Sequence, residues 1–172
     1  IAGSKMPIPT LVFWRNLGGV LLLLPFALRN KEWKSTTHRN GIRWAVISGV
    51  LLGLHFLAFF TAMRYTTVAT GTALTCLQPI FAALYIKFQG HLIPKKSWIG
   101  MAIAFGSVLL ITGVDLAIGS KYFIGDIAAI FGGALAAAYM LSGSVAQKSV
   151  STSTYAVVCY SFCATTSLIA AL

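Results

Sequence analysis

Acidic side chains are scarce in this chain: three Asp and Glu stand against thirteen Lys and Arg among 172 residues. Glu32, Asp115 and Asp126 are the whole set. No two of them share an apolar stretch, so no carboxylate pair is available for general acid and base work. Cysteine is also sparse. Cys76, Cys159 and Cys163 are too few for a disulfide framework, and the three histidines are scattered, which argues against a metal site. The cysteines read as small apolar residues, with Cys159 and Cys163 four apart on one helix face. A Walker-type phosphate loop is missing, which argues against nucleotide-driven pumping. Ser142-Gly143 lacks the glycine two residues earlier that an intramembrane serine nucleophile would offer; Met140 stands there. Neither an enzyme nor a cofactor is expected. Charged residues make up only 9% of the chain and hydrophobic ones 58%, more apolar surface than a soluble domain of this size could hide.

What the chain has in abundance is long apolar runs. Six follow one another, at about 8–28, 44–63, 68–88, 98–116, 124–146 and 154–172. A bilayer core takes about 20 residues per helix, at about 1.5 Å of rise each. The fold class is therefore an all-α membrane protein with six transmembrane helices. Nine of the thirteen basic residues lie in alternate gaps: Arg29, Lys31, Lys34, Arg39 and Arg43, then Lys87, Lys95 and Lys96, then Lys148. Short basic loops stay cytoplasmic, so the residues before the first span and those after the sixth are expected outside. The net charge of +10 then belongs to membrane edges, and no nucleic-acid partner is needed. A chain opening on Ile1 and stopping at Leu172 within an apolar run is expected to be a piece of a longer protein.

Helix association in lipid relies on small residues. Gly49/Gly53, Ala102/Gly106, Gly132/Ala136 and Gly133/Ala137 have that spacing. Trp14, Trp44, Tyr65, Trp98, Tyr122 and Tyr155 mark the water boundaries, and Asp126 is placed to cap the fifth span. The runs from Lys5 into the first span and from Lys148 into the sixth resemble each other, as an inverted repeat of five helices would.

Polar groups inside spans face protein or a watery cavity. One face of the second span carries Ser48, Leu52, His55, Phe59 and Ala62. A stripe in the third carries Gly71, Thr75, Gln78, Ala82 and Tyr85. Pro79, beside Gln78, deprives the Thr75 carbonyl of its donor. Tyr139 lies on the Gly132–Ala136–Gly143 face of the fifth span. Arg15, about 10 Å into the first span, either snorkels outward beside Trp14 or faces the cavity. The expected substrate cavity is lined by His55, Phe59, Thr75, Gln78 and Tyr139, with Arg15.

Several motifs succeed one another in a telling order: Phe60-x-Ala62-Met-Arg-Tyr65-Thr-Thr-Val-Ala, then Leu77-Gln-Pro79, then Gly100 followed by an apolar run to Thr112-Gly113, then Gly125-Asp126 with Ala128, Ala137 and Tyr139. Through them the chain resembles the drug/metabolite transporter superfamily, in particular its EamA-type repeats, over essentially its whole length. The resemblance implies ten helices in two inverted five-helix repeats with both termini cytoplasmic. This chain would hold helices two to seven, with 1–118 the later part of the first repeat and 119–172 the start of the second. It implies a secondary carrier, in a bacterial plasma (inner) membrane, for a small organic metabolite such as an amino acid or a related compound. The carrier would work by alternating access, with or without a coupling ion. The partners are then the lipid bilayer and a small-molecule substrate. One departure is Gly90-His91, where such repeats usually have Gly-Glu. The rival readings are a non-transporting receptor or scaffold, and an intramembrane enzyme whose catalytic pair lies in helices outside this chain.

Overall fold

A computed structural model describes residues 7–30, 32–34, 38–116 and 120–171, with the backbone alone at 34, 111–116, 120 and 121. Among the described residues all regular structure is helical: α1 Ile8–Arg29, a 3-10 turn at Glu32–Lys34, α2 Arg39–Tyr65, α3 Val68–Thr75, α4 Gln78–Phe88, α5 Lys95–Leu116, α6 Ser120–Ala146 and α7 Thr152–Ile169. Six helical stretches thus coincide with the six apolar runs, the third being split. Ile8–Arg29, Arg39–Tyr65, Val68–Phe88 and Tyr122–Ala146 are each long and apolar enough to cross a bilayer. Large apolar side chains such as Leu22, Ile103, Leu110 and Phe131 point outward, as lipid-facing residues do. α7 is the most hydroxyl-rich helix, and its C-terminal half satisfies its Ser and Thr hydroxyls on its own backbone. Ser161 Oγ donates to the Val157 carbonyl (2.7 Å), Thr165 Oγ1 to Ser161 (2.9 Å), Thr166 Oγ1 to Phe162 (2.8 Å) and Ser167 Oγ to Cys163 (2.9 Å). A polar-looking helix becomes compatible with a low-dielectric setting in this way.

The chain divides into two compact units. The first comprises 1–57 and 138–172. Within it α1 packs along α7, the two helices whose approaches resemble each other in sequence; Lys5 and Met6 of the first approach lie outside the described residues. A Cβ at Gly19 would lie 2.9 Å from the Tyr160 ring, so the missing side chain admits the tyrosine. α2 crosses α7 at Gly49 and Gly53. A Cβ at Gly49 would collide with the Cys159 carbonyl and come within 2.8 Å of Phe162 Cβ; one at Gly53 would lie 2.8 Å from Thr166 Cβ. The buried Cys159 and Cys163 are the α7 side of this crossing.

Below the crossing the first unit is tied by hydrogen bonds. α1 ends at Arg29, and the Glu32 carboxylate accepts from the Ser151 N–H (3.1 Å) and the Ser151 hydroxyl (2.9 Å). Ser151 also caps α7, accepting from the Thr154 N–H. Asn30 Nδ2 donates to Ser151 Oγ (2.7 Å) and Ser153 Oγ (2.9 Å), and His38 Nδ1 meets the Ser149 carbonyl. Partial burial by itself would raise the Glu32 pKa. The hydrogen bonds of Thr154 and Ser151, with the nearby His38 charge, outweigh it and leave the carboxyl below its ordinary value.

The second unit is 58–137. Its core gathers Ala62, Leu74, Leu77, Val108 and Ala129, and α3 packs against α5. At Pro79, where the sequence predicts a break, the helical stretch is interrupted. α3 stops at Thr75, Cys76 and Leu77 form a turn, and α4 restarts at Gln78 with proline in its first turn. Proline lacks the N–H that would continue the ladder. The Leu77 N–H accordingly turns back to the Leu74 carbonyl at 3.2 Å. α4 ends in a left-handed glycine, Gly90 at φ +84°, with His91 N–H bonded to the Ile86 carbonyl and Gly90 N–H to Lys87. The departure Gly90-His91 thus retains the glycine the stop requires.

Four expectations need correction. Asp126 is not a cap: α6 begins at Ser120, and Asp126 is buried within it, accepting from Thr66 Oγ1 at 2.7 Å. Gly125 makes the approach possible, since a Cβ there would lie 2.6 Å from the Thr66 nitrogen. Ala102/Gly106 closes no described contact, and a Cβ at Gly106 meets nothing within 4 Å. Cys76, read as a small apolar residue, is exposed in the turn. Tyr155 is half-buried in the first unit and hydrogen-bonded there, so it is more than a boundary marker.

Candidate functional site

The first unit carries an open cavity of about 250 Å³ lined by Arg15, Asn16, Leu52, Phe56, Tyr139 and Tyr160. α1 supplies Arg15 and Asn16, α2 Leu52 and Phe56, α6 Tyr139, and α7 Tyr160. At about 1.5 Å per residue, each lies roughly 10 Å or more from either end of its helix. The cavity therefore sits among apolar segments at depth.

Local geometry holds each wall residue. The Arg15 guanidinium lies 4.7 Å from the centre of the Phe56 ring, a cation–π contact that turns the charge toward α2. Arg15 is itself exposed, next to the exposed Trp14. Asn16 is buried and donates Nδ2 to the Val12 carbonyl at 2.8 Å, which leaves its Oδ1 as the acceptor it can offer. Tyr160 lies on Gly19. Tyr139 is set by its main chain, whose carbonyl accepts from Ser48 Oγ at 3.0 Å. Ser48 is wholly buried one turn before Leu52 and also bonds Tyr155 OH at 2.8 Å. The Tyr155 ring in turn occupies the space beside Gly143.

Of the residues expected from sequence, Arg15 and Tyr139 line this cavity together. His55 is in the same unit, half-buried beside Phe56 with ring centroids 5.2 Å apart, and is not part of the cavity wall. Phe59, Thr75 and Gln78 belong to the second unit. Phe59 stacks edge-on with Phe60 at 5.4 Å. Thr75 Oγ1 donates to the Gly71 carbonyl (2.8 Å) at the end of α3, and a Cβ on Gly133 would lie 3.1 Å from the Thr75 carbonyl. Gln78 is the half-buried first residue of α4.

Leu52 was placed on the inward stripe of the second span without being assigned to the cavity; Asn16, Phe56 and Tyr160 were not anticipated. Two of them carried a signal. Asn16 follows Arg15 inside a span, and Tyr160 is a polar-tipped aromatic at the middle of α7. Phe56 looks like an ordinary lipid-facing residue in sequence, and only packing assigns it to a wall.

Comparison with known proteins places this geometry in context. The profile of the EamA-like transporter family matches residues 1–113. An "uncharacterized transporter" of Archaeoglobus fulgidus is 30% identical over 140 residues, which is 78% of this chain and 47% of that protein. The chain thus spans about half the length of the curated relative it matches. No solved structure matches it significantly.

Proposed function

Because the chain belongs to the EamA-like transporter family, we propose that it forms part of a secondary carrier for a small organic metabolite, such as an amino acid or a related compound, working by alternating access. The observation that carries this reading is the cavity of about 250 Å³ with Arg15, Asn16, Tyr139 and Tyr160 in its wall. Polar groups placed among apolar helices cost a few kcal/mol against lipid, and a carrier has a use for them. In the first unit Arg15, Tyr139 and the neighbouring His55 are the substrate-facing candidates. In the second unit Phe59, Thr75 and Gln78, around the α3–α4 interruption, are the others. Residues 1–118 then form the later part of one repeat and 119–172 the start of the next. The protein is a multi-pass membrane protein of a bacterial plasma membrane. Its partners are the bilayer, the substrate and, where transport is coupled, an ion; no cofactor or nucleic acid enters.

Uptake by the full-length protein in proteoliposomes tests the proposal. A panel of labelled amino acids and small organic acids should include at least one compound moved above the rate of empty vesicles. A full-length protein that is folded, correctly inserted and inert toward the whole panel would count against it.

A further inference from the structure

We infer that the cavity of the first unit is a carboxylate site in which Arg15 takes the head group of a small organic acid. This deepens the carrier reading and rests on it for transport, though not for binding. A guanidinium is charged at every physiological pH, and Arg15 lies in an apolar helix, where a cation calls for a counter-charge. The chain has only three carboxylates to offer. Glu32 is held by Ser151. Asp126 is held by Thr66; Asp115 lies on α5, its side chain outside the described residues. Among the described residues the partner of Arg15 is the Phe56 ring at 4.7 Å. A ring face compensates charge but accepts none of the five guanidinium N–H bonds in the plane of the fork. Those donors match a carboxylate, in one or two parallel bonds.

Size and the remaining wall narrow the class. About 250 Å³ lies below the usual volume of pockets for drug-sized ligands, so the occupant is of the size of a short organic acid or an amino acid. One cation lines the cavity, which suits a monoanion better than a phosphate monoester. Tyr139, Tyr160 and the Asn16 Oδ1 leave acceptors for a hydroxyl or ammonium on the body of the ligand.

The test is binding to the full-length protein in lipid nanodiscs, with lactate, pyruvate, alanine and serine as probes, each paired with its primary amide. At least one acid should bind tenfold or more tightly than its amide, as loss of a charge-assisted bond implies. In Arg15→Gln that preference should collapse to about twofold or less. In Arg15→Lys, which keeps the charge without the fork, it should be intermediate. Monodispersity and melting temperature of both variants report folding, and Arg15→Lys carries the test if Arg15→Gln is unstable. Failure of all the acids to bind, equal binding of acids and amides, tighter binding of a phosphate monoester, or an acid preference undiminished in both variants would overturn the inference. Arg15-dependent binding without uptake would leave the site intact and remove the carrier reading. Uptake of neutral or cationic compounds unaffected by Arg15→Gln would do the reverse.

Discussion

Ser48 Oγ donates to the main-chain carbonyl of Tyr139 at 3.0 Å, so a buried hydroxyl on α2 fixes the α6 backbone where it presents a tyrosine to the cavity. A carbonyl inside a helix already accepts one bond, and its second lone pair is what Ser48 uses. The same hydroxyl meets Tyr155 OH at 2.8 Å. One side chain thereby registers three helices.

Ser48→Ala should remove both bonds and leave Tyr155 OH without this partner. A loss of about 1–3 kcal/mol of stability follows, read as a lower melting temperature in detergent. Tyr155→Phe should recover part of that loss when combined with Ser48→Ala, because both polar partners are then gone. Additive losses in the double variant would contradict the coupling.

Gly49→Leu should be among the most damaging changes in the first unit, since even a Cβ collides with the Cys159 carbonyl. Overpacking of this kind costs about 1–3 kcal/mol or more, and backbone on the far side cannot swing away. Gly106→Leu, where a Cβ meets nothing within 4 Å, is the matched control and should insert and purify normally. Equal yields of monodisperse protein for the two variants would refute the α2–α7 crossing.

The Glu32 clasp should give a pH-dependent stability of defined sign. Its carboxyl lies below the ordinary value of 4.5 in the folded chain. The folded state thus favours the ionised form, and the contribution is fully present above that ordinary value. It is lost as pH falls through the lower folded value. Melting temperatures of the wild type and Glu32→Gln should therefore differ at neutral pH, with the wild type higher, and converge in acid. A gap that is constant down to the acid limit would show that the charge of Glu32 is not what Ser151 recognises.

Topology follows from the basic loops. In a variant with its three cysteines replaced, Lys31→Cys should resist a membrane-impermeant maleimide applied from outside whole cells. Lys121→Cys should react. The opposite pattern would invert the assignment of the 29–43 loop to the cytoplasm.

For transport, Gln78→Leu and His55→Leu each keep approximate volume and remove hydrogen bonding. Proteoliposomes of either full-length variant should show a several-fold lower rate for the transported compound at unchanged insertion. Wild-type rates in both would make these two residues packing groups.

Much of the fold was legible because bilayer crossing is a local demand. Length, hydropathy and alternating loop charge are properties of consecutive residues, and they located all six helical stretches without any long-range information. Pro79 announced its interruption by its own chemistry, a missing N–H, and the Gly49/Gly53 spacing announced a close helix approach. Which helix would approach was not encoded locally; it is α7, through Cys159 and Thr166. Ala102/Gly106 has the same spacing and closes no described contact, so the spacing is permissive only. Asp126 followed a glycine, as a cap would, yet the tertiary structure starts α6 six residues earlier and sets Asp126 against Thr66. The site shows the same division. Arg15 and Tyr139 stood out because charge and hydroxyls are expensive in lipid wherever they occur. Phe56 became a wall residue only through packing, because an apolar side chain costs as little facing a lipid tail as facing a cavity, and nothing in its own chemistry chooses between them.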